Sequence, residues 1–352
     1  MTIDGAMTEK KATDRLSELD SLRGLAALGV LFYHFLCRYP VPDLPKDKLF
    51  FQLFGYFTIP EWYLGLMPVY LFFMISGFVI FFTAEKCKTV AEFGYRRFSR
   101  LYPVYWGAII VLTITMLLNS SAPGVGIGQF LVNLTMIQEY FHVPNISGVF
   151  WSLSVELSFY FLIAAMIRLG LMPHYRYVML FWSVLIFLYG FYSVPNPVPW
   201  PIVYILALDY GHCFVFGICV YELRRARMAG VKKTDWFILL LIAFSIASNV
   251  IRYPATITVM LTLLQVVFYI AATRSVPPLR NAILVYLGGI SYALYLVHQV
   301  LGIVVMDMLA LPRLIEIALA LVVALLAAMA LTNWVERPSM NWLREHRPAW
   351  TR

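Results

Sequence analysis

The sequence predicts an all-α membrane protein with about ten transmembrane helices. Two features of composition and one of pattern predict it. Hydrophobic residues make up 61% of the 352 and charged residues only 13%, about half the charged share of a soluble domain. The mean hydropathy is +0.76. Apolar runs long enough to cross a bilayer as helices recur along the chain, cut by charges, Pro and Gly. No soluble core of this size could hide that much apolar surface.

The predicted spans are approximately 20–38, 64–84, 101–118, 149–168, 177–194, 202–222, 235–251, 254–273, 283–306 and 314–335. Arg252, Tyr253 and Pro254 leave only a tight turn between the seventh and eighth. The apolar stretch 50–57 is too short to span and is expected at the interface. No small-residue cleavage site follows the first apolar run, so that run is expected to stay as a span. The loop 119–148 has room for a short structure over the membrane face. The reading divides the chain into a cytoplasmic segment 1–18, a transmembrane domain 19–338 and a cytoplasmic tail 339–352.

Charge fixes the expected orientation. The net charge is +8, which in a soluble protein would raise nucleic-acid binding. Here it reads as topology, and no nucleic-acid partner is expected. With the N-terminus inside, 22 of the 27 basic residues fall in inner segments. Only Arg38, Lys46, Lys48, Arg252 and Arg313 fall outside. Basic residues collect in cytoplasmic loops, so both termini are expected in the cytoplasm. Trp62, Tyr63, Trp106, Trp151, Trp200 and Trp334 lie near predicted span ends, where an aromatic belt belongs. Cys37, Cys87, Cys213 and Cys219 form no CxxC or Cys/His pattern, and neither a disulfide framework nor a metal site is expected.

Ionisable groups inside spans are costly and usually functional. Arg23, His34, Glu156 and His298 stand out. Arg23 and His34 are 11 residues apart, three helical turns plus about 20°, so they share a face about 16 Å apart along the axis. Depth counting sets His34, Glu156 and His298 at one level in the outer half. An imidazole beside a carboxylate is a general-base arrangement. The competing reading of His298 is a helix-to-helix hydrogen bond, and that of Glu156 is a helix-dipole interaction. Arg97 and Arg100 are three apart on one face, where an inner loop is expected to meet a helix. They suit a phosphate clamp or are plain positive-inside charge. Asp209 and His212 are further candidates for the same cavity.

These residues fall in segments that resemble the acyltransferase 3 family. Leu19-Asp20-Ser21-Leu22-Arg23-Gly24-Leu25-Ala26-Ala27, followed by His34, is similar to its opening signature. Phe72 to Phe78, Arg97 to Pro103, Trp151 to Glu156, Ser291 to His298, and Glu336-Arg337-Pro338 resemble its later motifs in order. The resemblance runs from about residue 16 to 338. It implies an integral-membrane O-acyltransferase with an acyl donor, usually acetyl-CoA, as co-substrate rather than a resident cofactor. The implied acceptor is a carbohydrate hydroxyl: O-antigen, exopolysaccharide, a lipid-linked oligosaccharide or a small glycosylated metabolite. The implied location is the cell inner (cytoplasmic) membrane, and a homo-oligomer is compatible with it.

The resemblance makes Arg23 and His34 essential, and Arg97 and Arg100 the paired arginines. Glu156 is the family's acid, while Asp20, Ser152, Tyr292 and His298 take acceptor-site or supporting places. Many relatives carry an acidic residue before the Gly of the sixth-span motif. Cys213 to Gly217 occupies that stretch here without one. The expected chemistry has His34 as general base, oriented by Glu156, with Arg23 on the donor or the oxyanion; an acyl-His34 relay is the variant. The alternative from another class is a transporter or flippase for a lipid-linked sugar. The paired repeats with broken helices that such proteins often show are absent from the sequence.

Overall fold

A computed structural model describes residues 16–38, 61–119, 124–192, 198–231, 233, 235–309 and 311–351. The N-terminal segment 1–15 and the stretch 50–57 lie outside them. Thirteen α-helices, short 3₁₀ turns and two π-turns make up the described chain, and no strand occurs among the described residues. The helices are α1 Ser17–Tyr33, α2 Glu61–Ala84, α3 Val90–Leu118, α4 Ile127–Asn133, α5 Trp151–Arg168, α6 Tyr175–Tyr192, α7 Trp200–Ile205, α8 Gly211–Met228, α9 Trp236–Arg252, α10 Ala255–Thr273, α11 Ala282–Met308, α12 Arg313–Leu331 and α13 Arg337–Glu345. Eight segments, those around α1, α2, α3, α5, α6, α10, α11 and α12, are long and apolar enough to cross a membrane. The 17-residue α9 is a shorter apolar helix. The chain is an all-α, multi-pass membrane protein.

Two predicted spans are placed differently. The third helix begins at Val90 rather than 101. Thr89 supplies the reason: its Oγ1 accepts from the Glu92 N–H (3.1 Å), while Glu92 Oε2 accepts from the Lys88 N–H (3.0 Å). The Thr89 hydroxyl thus satisfies one donor that a helix start leaves open, and Glu92 ties back the residue before the cap. Arg97 and Arg100 therefore sit inside a helix, two to three turns from its start.

The sixth span is not one helix over 202–222. Trp200–Ile205 forms the short α7, the chain turns with Ala207 at φ 46°, and α8 then runs on to Met228. The late start brings Gly211 against the Trp182 and Ile186 side chains, where a Cβ would have no room. Gly211 through Glu222 are all buried. A helix buried all round belongs at the centre of a bundle. Gly77 of α2 and Gly217 of α8 let the two backbones touch, since a Cβ on either would run into the other helix's carbonyl oxygen.

The remaining boundaries agree with the sequence to within a few residues, except that α13 follows a π-turn after α12. The tight turn at Arg252 to Pro254 is present. The loop after α3 folds over the bundle as α4 and a 3₁₀ turn. It is held by buried Asn133, which donates to the Gln129 and Pro144 carbonyls (2.9 and 3.0 Å) and accepts from the Ile146 N–H (3.0 Å).

Candidate active site

The crossing of α1 and α11 places the first half of the site. Small residues let membrane helices approach closely. Gly24 lies on the Gly288 backbone, and a Cβ on Gly288 would collide with the Asp20 carbonyl. Farther along, Gly302 lies against the Phe35 ring. Residue numbers rise together on both helices, so they run parallel and are pinned at two levels. His34 and His298 lie between the pins, each ten residues beyond its glycine. Gly288→Leu should force the helices apart and destabilise the protein by about 3 kcal/mol, measurable as a fall in the thermal midpoint in detergent. An unchanged midpoint would mean that the crossing does not hold this register.

The two imidazoles meet directly. His298 Nε2 is 3.2 Å from His34 Nδ1, with ring centroids 5.1 Å apart. The other nitrogen of His298, Nδ1, faces two carbonyls, Leu294 (3.1 Å) and Tyr295 (2.9 Å). A carbonyl only accepts, so His298 Nδ1 carries the proton and its neutral Nε2 is an acceptor. His34 Nδ1 then donates, to His298 Nε2 and to the Val30 carbonyl (2.9 Å). In neutral His34 the lone pair is left on Nε2. This tautomer is assigned from the hydrogen-bond network. His34 is also the first residue of a π-turn, His34–Arg38, a distortion common at functional sites.

Glu156 does not stand where depth counting put it. Its Oε1 accepts from Ser76 Oγ (2.5 Å) and from the Tyr160 hydroxyl (2.7 Å). The reason lies at the start of α5. Ser147 Oγ donates to Gln299 Oε1 (3.2 Å), and Gly148 abuts the same side chain. The start of α5 is thus sunk to the level of His298, with Val149 and Phe150 fully buried. Eight residues on, about 12 Å at helical rise, Glu156 is two turns below the histidines. Trp151 shares the displacement. It packs on Phe73 and Tyr210 inside the bundle (6.3 and 5.1 Å between centroids) rather than in an interfacial belt.

Glu156 instead shares a narrow cavity, about 110 Å³, with Arg23, Ser76, Arg97, Arg100, Ser152, Tyr160, Tyr292 and Tyr295. Arg23 lies within electrostatic reach of Asp20, Glu156, Glu336 and Arg100. The two paired arginines differ. Arg100 is salt-bridged to buried Glu336, from the π-turn before α13, and touches Met340 Sδ (3.5 Å). Arg97 lines the cavity beside Tyr160, with which its guanidinium interacts, and its Nε is buried with no hydrogen-bond partner. Ser152 Oγ meets the Tyr295 hydroxyl (2.6 Å), and the Tyr292 hydroxyl reaches toward the Leu101 carbonyl (3.5 Å). Tyr295 joins the halves: its hydroxyl borders the cavity, and its carbonyl accepts from His298.

The predicted residues thus form a polar column along the bundle axis. Arg100 with Glu336 and Arg97 are at one end, Arg23 and Glu156 next, then Ser152 and Tyr295, and His34 with His298 at the other end. Asp209 and His212 are not part of it. Asp209 is paired with Arg252, and His212 is buried beside Tyr70 and Tyr253. Sequence reasoning missed Tyr160 and Ser76. Tyr160 follows Glu156 by four residues, so it had to lie on the same helix face.

The family model for an acyltransferase domain, acyltransferase 3, matches residues 16–333. Acyltransferase MdmB of Streptomyces mycarofaciens is 32% identical over 42% of this chain and 38% of its own. Nodulation protein 10 of Rhizobium leguminosarum bv. viciae is 26% identical over 41% and 42%. ORF330 of Acidianus two-tailed virus, provisionally named an acetyltransferase, is 23% identical over 80% and 83%. The chain matches about two fifths of the length of the first two relatives. No solved structure matches it.

Proposed function

This chain belongs to the acyltransferase 3 family, and on that premise we propose that it moves an acyl group, acetyl by default, from cytosolic acyl-CoA to a hydroxyl of a cell-surface or exported carbohydrate. The observation that carries this reading is the polar column. It offers anion-binding arginines at one end, an imidazole whose basic nitrogen is Nε2 at the other, and a small cavity at the arginine end.

The arginine end faces the cytosol if the charge bias sets the orientation. Arg97, which lines the cavity and is in no salt bridge among the described residues, binds a CoA phosphate there, and Arg23 and Arg100 add positive field. The pantetheine arm runs along this cavity. The arm points its thioester up the column toward His34. Arg23, about three turns below His34, acts on the donor rather than on the oxyanion. Glu156, between Ser76 and Tyr160, balances the arginines and does not orient the imidazole.

At the histidine end the acceptor hydroxyl attacks the thioester carbonyl while His34 Nε2 takes its proton. His34 becomes an imidazolium, and its Nδ1–H is held by His298 Nε2 and the Val30 carbonyl. Collapse of the tetrahedral intermediate breaks the C–S bond. The thiolate leaves and recovers the proton from His34. The products are an O-acyl sugar and CoA.

The test is transfer of labelled acetyl from acetyl-CoA into glycan, in inside-out membrane vesicles that contain the native glycans. Label should enter glycan only with the protein present. Arg97→Gln should raise the acetyl-CoA concentration needed for half-maximal transfer about tenfold, the loss of one charge-assisted hydrogen bond or slightly less. Glycan movement that continues without acetyl-CoA, with no label incorporated, would instead mean a flippase.

A further inference from the structure

A second cavity lies on another side of α1, and it shares no lining residue with the first. It measures about 520 Å³, within the range of ligand pockets. Four arginines line it: Arg224 and Arg227 near the end of α8, Arg274 just after α10, and Arg280 before α11. One carboxylate, Glu18 of α1, faces them. The guanidinium group stays charged at any ordinary pH, so the lining holds three positive charges in excess.

The arginines are not equivalent. Arg280 Nε donates to Glu18 Oε1 (2.6 Å), and Arg224 Nη1 donates to the Ala272 carbonyl (2.6 Å), one of the carbonyls left open at the end of α10. These two are fixed from behind. Arg227 and Arg274 are exposed; Glu18 is salt-bridged to Arg280, and neither Arg227 nor Arg274 forms a salt bridge among the described residues. Positive-inside bias alone scatters arginines over inner loops. It does not converge four of them, from two stretches of chain about fifty residues apart, on one cavity.

We propose that this cavity binds the phosphate of an anionic phospholipid headgroup. Its walls are helix ends: α1 begins at Ser17, α8 stops at Met228 and α10 at Thr273. In a bilayer-spanning bundle such ends lie at headgroup depth. Basic pockets between helices at that depth recognise anionic headgroups. Arg227 and Arg274 supply the free forks, Ser17 and Ser275 line the same cavity with hydroxyls, and Leu16 and Met228 offer apolar wall to the glycerol side. The nucleotide phosphates of CoA carry the same chemistry, so the test separates the two sources.

The experiment is native mass spectrometry of the full-length protein in detergent, titrated with phosphatidylglycerol or with phosphatidylcholine of the same acyl chains. Wild type should retain phosphatidylglycerol at least fivefold better. The variant R227Q/R274Q should lose that preference, whereas R337Q/R344Q, which removes two exposed arginines of α13, should keep it. Because Arg274 is exposed, R274Q alone should fold and show a partial loss of about threefold. Equal retention of the two lipids by wild type would overturn the proposal. So would equal loss in both double variants, which would mean diffuse charge. Displacement of phosphatidylglycerol by CoA, with CoA binding itself lost in R227Q/R274Q, would assign the cavity to the nucleotide and overturn the lipid.

Discussion

His34→Gln should lower acyl transfer by about 10²–10⁴-fold, the usual contribution of a positioned general base, while acyl-CoA affinity stays within about twofold of wild type. The two readouts separate because the column separates the residues. His34 stands about 16 Å along the helix from Arg23 and does not line the narrow cavity that holds the arginines. Glutamine keeps a hydrogen-bonding side chain toward His298 but provides no basic lone pair. His298→Gln should cost less, about tenfold, because it removes the group that fixes the His34 tautomer and leaves the base itself. Stopped assays with labelled acetyl-CoA give the rate, and equilibrium binding of acetyl-CoA gives the affinity. If His34→Gln transfers at the wild-type rate, the base is elsewhere in the column. If it loses acyl-CoA binding in proportion to rate, His34 is part of the donor site and the proposed chemistry fails.

The parts of this site that were legible in the sequence are those governed by one helix at a time. Arg23 and His34 share a face because 11 residues close three turns, and α1 is continuous between them. Hydropathy found the spans because bilayer thickness sets a length. What the sequence hid depends on where one helix starts relative to another. Glu156 was placed beside His34 by counting residues from the outer membrane plane. Through Ser147 and Gly148 the chain enters α5 beside Gln299 of α11, which sets Glu156 two turns beyond the histidines. Likewise α3 starts at Thr89 through a cap of two side chains, which a hydropathy window averages away. His298 gained its role only through the paired glycines, whose meaning appears once α1 and α11 are known to touch. The sixth span was found, but its break at Ala207 was not, because the apolar run continues through the turn that separates α7 from α8.

The same column makes a prediction about stability. Arg100→Ala should destabilise the protein by about 3–5 kcal/mol, because it leaves Glu336 buried without its cation. Glu336 is nearly inaccessible; its other oxygen lies 3.5 Å from Thr332 Oγ1, at the limit of a hydrogen bond. That hydroxyl cannot replace a guanidinium. The double variant R100A/E336Q should recover most of the loss, since an amide costs far less to bury than a carboxylate. Glu336→Gln alone should be milder in stability but informative in function. It would free Arg100 toward the cavity and should strengthen acyl-CoA binding severalfold, where an Arg100 committed to structure would leave affinity unchanged. Thermal midpoints for the four members of the cycle, in one detergent, give the coupling. Additive effects within about 0.5 kcal/mol would mean that the pair is not buried together, and Arg100 would return to being a surface charge of the positive-inside kind.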